Sequence, residues 1–74
     1  RPGDRAAARR QTLETRRRKG LAAFASLEAD RAAGKIPDTA YADRRARLLA
    51  DLERVYGELD ALERPPDGGQ GLAA

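Results

Sequence analysis

Large apolar residues recur at helical spacing in two stretches of this 74-residue chain. In the first stretch Leu13, Leu21, Phe24 and Leu27 fall within about 120° of one another on a helical wheel. In the second, residues alternate at four- and three-residue spacing and form a heptad seam, which comprises Tyr41, Arg45, Leu48, Leu52, Val55, Leu59 and Leu62. The two patterns predict two amphipathic helices, of which the second is the more apolar.

A four-residue break, residues 34–37, separates the two patterns. Gly34 suits the position just after a helix, where a positive φ is needed. Pro37 cannot extend the first helix but fits the opening turn of the next, and Ile36 and Tyr41 have the spacing of a hydrophobic staple around it. We therefore predict an all-α fold, an antiparallel two-helix hairpin of coiled-coil type that oligomerises.

The chain divides into three predicted regions. Residues 1–19 form a basic N-terminal arm, helical or frayed, with Asp4 as a helix cap and no large apolar residue before Leu13. Residues 20–63 form the hairpin. Residues 64–74, which open with Arg64-Pro65-Pro66, are predicted to be a disordered tail.

Counting outward from the turn predicts the register of the two helices. It pairs Leu27 with Tyr41 and Arg45, Phe24 with Leu48, Gly20 and Leu21 with Leu52, Arg17 with Val55, and Leu13 with Leu59. The first helix then covers too little of the second, so that Leu49, Val55, Tyr56 and Leu62 remain for another chain. In the alternative, Leu49 and Tyr56 only flank the seam.

A chain this short buries only about 60% of its extended surface, which favours self-association or a protein partner. The predicted interaction surface follows the seam and its flanks, and consists of Phe24, Leu27, Leu48, Leu49, Leu52, Val55, Tyr56, Leu59 and Leu62.

Charge is distributed unevenly along the chain. Residues 1–19 hold eight Arg and Lys against two acids, whereas residues 20–74 hold seven against ten. The candidate residues for an anionic surface are Arg9, Arg10, Arg16, Arg17, Arg18 and Lys19. Three interpretations stay open: a solvated helix face, a juxtamembrane segment attracted to anionic headgroups, and a nucleic-acid site. The last is less favoured, because four consecutive helical residues spread over about 300° and no aromatic residue lies among them to stack on bases.

The missing residue types argue against catalysis. The chain contains no His, Cys, Met or Trp, which excludes Ser-His and Cys-His nucleophile pairs and the usual zinc sites. We expect no enzymatic activity, no metal and no cofactor. No apolar run approaches the roughly 20 residues that a membrane span requires.

The residues around the turn carry a family resemblance. Leu27-Glu28-Ala29-Asp30, Gly34-Lys35-Ile36, Tyr41, Arg45 and Leu48-Leu49 resemble the cytoplasmic hairpin of membrane-anchored cytochrome c biogenesis proteins of the CcmI type and of related proteins of haem export. The segment is also similar to short C-terminal (SHOCT) domains. It departs from the pattern at two positions, where Pro37 replaces a Ser/Thr cap and Ala40 replaces an acid.

The resemblance implies a bacterial segment that contacts partner proteins and lies in the cytoplasm, held near the membrane by an anchor outside this chain. No haem ligand carries over. We therefore expect a non-enzymatic interaction and oligomerisation hairpin linked to cytochrome c or haem assembly. The alternative is a basic-armed hairpin that binds nucleic acid or the ribosome.

Overall fold

The computed structural model describes residues 2–64, and within that range the chain is an antiparallel hairpin of two helices with no strand. Helix α1 spans Pro2–Ala32 and helix α2 spans Asp38–Glu63. The all-α hairpin predicted from the sequence is confirmed. The predicted tail, apart from Arg64, lies outside the described residues.

Helix α1 is continuous across the predicted boundary at residue 19. Its first turns consist mainly of Ala and Arg, which are among the strongest helix formers, so that the helix extends to Pro2 without a large apolar face. Asp4 lies inside the first turn rather than at the cap, where its charge still complements the helix dipole. The basic arm is therefore the beginning of α1 and not a separate segment.

The turn between the helices closes with a Schellman motif. The Lys35 N–H donates to the Asp30 carbonyl at 2.9 Å, and the Gly34 N–H donates to the Arg31 carbonyl at 3.1 Å. Gly34 has a φ of +70°, as its predicted position after α1 requires. Pro37 then caps α2 with φ −64° and ψ 152°, and its carbonyl accepts from the Tyr41 N–H at 2.9 Å.

Within residues 2–64 the buried core consists of five aliphatic side chains, which are Leu13, Leu27, Leu52, Val55 and Leu59. Leu13 is fully buried and clusters with Val55 and Leu59, with Leu62 packed against them. Leu13 therefore meets Leu59, and Gly20 lies against Leu52, as the register predicts.

The prediction that Val55 remains uncovered is wrong. Val55 is buried because it packs in one cluster with Leu13 of α1 and Leu59 of α2. Arg17, which the register placed opposite Val55, donates to Glu14 at 2.7 Å. Leu62, also predicted to be left over, is partly buried against the same cluster.

The hairpin is a single layer of structure. It measures 54 × 28 × 14 Å, and its smallest dimension is close to the diameter of one helix with its side chains, about 10–12 Å. Domains normally bury their apolar faces between two or three layers. Each helix here has one neighbour, and both broad sides of the hairpin face outward.

Candidate interaction face

One broad side of the hairpin exposes apolar side chains from both helices. Leu21 is 41% exposed and Tyr56 is 46% exposed. They line a shallow groove together with the half-buried Phe24 and Leu49, above the buried Leu52. We call the set Leu21, Phe24, Leu49 and Tyr56 the apolar face.

Helical geometry explains why these residues share a side. Leu49 directly follows Leu48 of the seam, and Tyr56 directly follows Val55, so each is turned about 100° away from its seam neighbour. Leu21 follows Gly20, which lies against Leu52. The apolar face is therefore a second stripe beside the seam on both helices.

Opposite charges lie on either side of Leu49 along α2. Arg45 precedes it by four residues and Glu53 follows it by four, and all three line one shallow surface with Ala42 and Ala46. The Arg45 guanidinium lies 5.7 Å from the centre of the Phe24 ring. Arg45 and Glu53 are both exposed and form no ion pair within residues 2–64.

Near the turn, a polar cluster connects the two helices at the edge of the apolar face. The Tyr41 hydroxyl donates to a Glu28 carboxylate oxygen at 2.6 Å, and the Arg31 guanidinium lies 4.3 Å from the centre of the Tyr41 ring. Arg31 also pairs with Asp38 at 3.6 Å. The hydrogen bond to Glu28 is the main cause of a raised Tyr41 pKa, because ionisation of the phenol would destroy it.

At the other end of the apolar face, the charged side chain is that of Arg17. Its Nε–H donates to Glu14 at 2.7 Å, and this hydrogen bond is the main cause of a raised Arg17 pKa. The apolar face is thus bounded by Glu28 at one end and by Arg17 at the other.

The structure separates the predicted interaction residues into two groups. Those buried inside the hairpin are Leu27, Leu52, Val55 and Leu59, and they hold the two helices together. Those with accessible surface are Phe24, Leu48, Leu49, Tyr56 and Leu62. Leu21, which the register placed against Leu52, was not among the predicted interaction residues, although its 41% exposure places it on the apolar face.

The six basic candidates do not form one surface. Arg9 pairs with Glu58, Arg10 pairs with Glu63 at 3.3 Å, and Arg17 pairs with Glu14. The first two pairs join α1 to α2 across 49 and 53 residues of sequence, so no short-range spacing indicates them.

The remaining basic candidates are Arg16, Arg18 and Lys19, which form no ion pair within the described part of the chain. Arg16 and Lys19 line a second groove between the helices with Leu48 and Asp51. Among the described residues, three of the six basic candidates are thus paired with acids, so the positive charge that remains unpaired is smaller than the sequence suggests.

Among residues 2–64, no three His, Cys, Asp or Glu side chains are arranged to hold a metal ion. No buried side-chain nitrogen or oxygen in that range lacks a hydrogen-bond partner. Neither α1 nor α2 has a stretch long and apolar enough to cross a membrane.

The chain matches no family model, no curated protein and no solved structure. The resemblances carried by the residues around the turn stay predictions, and the apolar face with its flanking charges is the feature that bears on function.

Proposed function

We propose that this hairpin is a non-enzymatic module for protein interaction and oligomerisation, and that it docks through the apolar face. The observation that carries the proposal is the exposure of Leu21 and Tyr56 beside Phe24 and Leu49. Contiguous exposed apolar surface from two elements usually marks an interface, and aromatic residues such as Tyr are enriched at the centres of interfaces.

The shape of the hairpin supports the same proposal. A single layer with five buried side chains among residues 2–64 leaves both broad sides of the hairpin without a neighbour, and a second layer would cover one of them. The lack of His and Cys removes the commonest general base and the thiol nucleophile, which further favours interaction over catalysis.

Two aspartate substitutions test the proposal. Leu52→Asp places a charge in the core, where Leu52 is 6% exposed, and we expect it to abolish folding and association together. Leu49→Asp places a charge on the apolar face, where Leu49 is half-buried. We expect it to weaken association more than it lowers the helicity of the monomer. Sedimentation velocity and circular dichroism over the micromolar range measure the two effects.

A wild-type chain that sediments as a stably folded monomer at these concentrations contradicts the proposal. Equal loss of helicity and association in Leu49→Asp also contradicts it, because the apolar face would then belong to the core of the hairpin.

We further propose that the hairpin is the cytoplasmic, juxtamembrane part of a bacterial membrane protein linked to cytochrome c or haem assembly. The resemblance carried by Leu27-Glu28-Ala29-Asp30 and Gly34-Lys35-Ile36 supports this, as do the cations Arg16, Arg18 and Lys19, which form no ion pair among residues 2–64. Each basic residue close to a membrane strengthens the attraction of a segment to anionic lipid by about 1 kcal/mol.

Vesicle co-sedimentation tests this placement against the alternative of nucleic-acid binding. We expect binding that requires anionic lipid and that falls when Arg16 and Lys19 are changed to Glu. Binding to duplex or single-stranded nucleic acid, with an affinity that falls steeply as salt rises, would favour the alternative. Failure to bind anionic vesicles overturns the juxtamembrane proposal and leaves the interaction module untouched.

A further inference from the structure

We infer that the occupant of the apolar face is a second copy of this chain, packed face to face with its turn at the opposite end. A two-fold axis would cross the helices at the level of Leu49. The inference rests on the proposed function and names its partner. The supporting observation is that each helix has a central point, with charges of opposite sign at equal distances on either side of it. On α2, a large and a small side chain also lie at equal distances from that point.

On α2 the pattern is centred at Leu49. Arg45 lies four residues before it and Glu53 four residues after it. When two α2 helices pack antiparallel with Leu49 against Leu49, Arg45 of each copy lies level with Glu53 of the other. Neither charge has an ion-pair partner within residues 2–64 of its own chain, so the second copy completes two symmetric pairs.

The sizes of the side chains on α2 reverse about the same point. Tyr56 lies seven residues after Leu49, and Ala42 lies seven residues before it. Both are exposed. In the antiparallel packing the large exposed ring of Tyr56 meets the small Ala42 of the second copy, and an interface of matched large and small residues packs closely.

On α1 the pattern is centred midway between Leu21 and Phe24, which would exchange places across the axis. Arg17 lies four residues before Leu21 and Glu28 four residues after Phe24. Arg17 of one copy therefore lies level with Glu28 of the other. Glu14 and Arg31, one step farther out, reverse in the same way.

The two centres lie at the same height in the hairpin. Because Gly20 lies against Leu52 and Leu13 clusters with Leu59, the midpoint between Leu21 and Phe24 lies opposite residues 49 and 50. The mismatch is about half a residue, which is under 1 Å at the helical rise of about 1.5 Å. One two-fold axis can therefore pass through both centres. The resulting dimer is a four-helix bundle with antiparallel neighbours and closed two-fold symmetry.

A charge swap tests the pairing. Arg45→Glu places Glu against Glu53 twice per dimer, and Glu53→Arg places Arg against Arg45 twice. We expect each single substitution to raise the dimer dissociation constant about tenfold at low salt, and the double variant R45E/E53R to return it to near the wild-type value. Residues 45 and 53 are about 12 Å apart along α2, so a contact within one chain cannot produce this rescue.

Arg44→Glu is the matched control. Arg44 adjoins Arg45, is exposed, and lies in a groove with Leu27 and Leu48 rather than on the apolar face. Arg44→Glu changes the net charge of the chain by the same amount as Arg45→Glu, and we expect it to leave the dimer dissociation constant unchanged. Circular dichroism at a concentration where the chains are monomeric checks that all variants are equally helical.

A cysteine supplies a second measurement, because the chain contains none. A residue on the two-fold axis lies against itself, so Leu49→Cys should form a disulfide between copies under mild oxidation. Ser26→Cys, exposed in the other groove, should not.

Rescue by the double variant together with the Leu49→Cys disulfide supports the antiparallel pair. If the wild type associates and Leu49→Asp prevents it, but R45E/E53R does not restore it, the antiparallel pair is wrong while the interaction module stands. A packing with both turns at one end would give that result, since Arg45 would then lie level with Glu28 of the second copy. A wild-type chain that stays a folded monomer overturns the proposed function itself.

Discussion

Gly20 lies so close to Leu52 that a β-carbon added to it would stand 2.8 Å from Leu52 Cδ2 and 3.3 Å from Leu52 Cγ. Leu52 is buried, so its side chain has little room to move away. A glycine inside a helix costs about 1 kcal/mol relative to alanine. At this position the missing side chain allows α1 to approach α2.

Two glycine-to-alanine variants separate helix propensity from packing. We expect Gly57→Ala to stabilise the hairpin by about 0.5–1 kcal/mol, because an added β-carbon meets nothing within 4 Å. We expect Gly20→Ala to lower stability by about 1 kcal/mol, since overpacking costs about 1–3 kcal/mol and exceeds the propensity gain. Thermal and urea denaturation measure both, and equal stabilisation by the two would show that Leu52 yields freely.

Leu13→Ala tests whether the basic arm belongs to the hairpin. Leu13 is fully buried with Val55 and Leu59, and we expect the substitution to cost about 2–3 kcal/mol, at the lower end for buried leucines because the site can partly collapse. Leu21→Ala, at an exposed position, should cost less than about 1 kcal/mol in the monomer. A negligible effect of Leu13→Ala on urea denaturation would mean that residues before the predicted boundary do not stabilise the fold.

Gly34→Ala isolates the backbone contribution of the turn. Gly34 has a φ of +70° and an added β-carbon would meet nothing within 4 Å, so the whole cost arises from the left-handed conformation. We expect a loss of about 1–2 kcal/mol, and a smaller loss for Gly34→Asn, because Asn tolerates this conformation better. Equal stability of the Ala and Gly chains would indicate that the turn has rearranged.

The hydrogen bond from Tyr41 to Glu28 predicts a pH dependence. The pKa of Tyr41 is raised in the folded chain, so its contribution to stability is present below the ordinary pKa of 10.0 and is lost as the pH rises through the folded value. Tyr41→Phe should therefore be less stable than wild type at neutral pH, and the difference should vanish in strong alkali. Thermal denaturation across this range provides the check.

Phenolate absorbance tests the cause directly. In a Tyr56→Phe background Tyr41 is the only tyrosine, and Glu28→Ala, which removes the acceptor, should move its titration back toward 10.0. A Tyr41 titration that is unchanged by Glu28→Ala would assign the raised pKa to burial instead.

The turn and the register follow from local chemistry, which is why they could be predicted. Gly34 can adopt the positive φ that ends α1, and Pro37 has a fixed φ and no N–H with which to continue that helix, so together they determine where α1 ends and α2 begins. The pairs Asp43–Arg47 and Asp60–Arg64, at 3.2 and 3.0 Å, follow in the same way from helical spacing. With the turn placed, counting residues was enough to bring Leu13 to Leu59.

The candidate site was harder to predict because it depends on where long side chains go. The register placed Arg17 opposite Val55 and left Val55 for another chain, yet Val55 is buried with Leu13 and Leu59, and Arg17 donates to Glu14 on its own helix. Arg9 likewise reaches Glu58 on the other helix, although it was expected to face an anionic surface. A long charged side chain can reach several oppositely charged partners, and helical spacing alone does not predict which of them it pairs with.

The position of the Leu13 cluster has a mechanical consequence. The cluster lies far from the turn, and only the Arg9–Glu58 and Arg10–Glu63 pairs join the described helices nearer their open end. A pulling force applied between Pro2 and Arg64 would therefore act on these pairs and then on the cluster, with the Tyr41–Glu28 hydrogen bond and the Arg31–Asp38 pair beside the turn the last to break. The hairpin would thus yield to tension gradually from its open end, whereas a force that slides one helix along the other would load the whole seam at once.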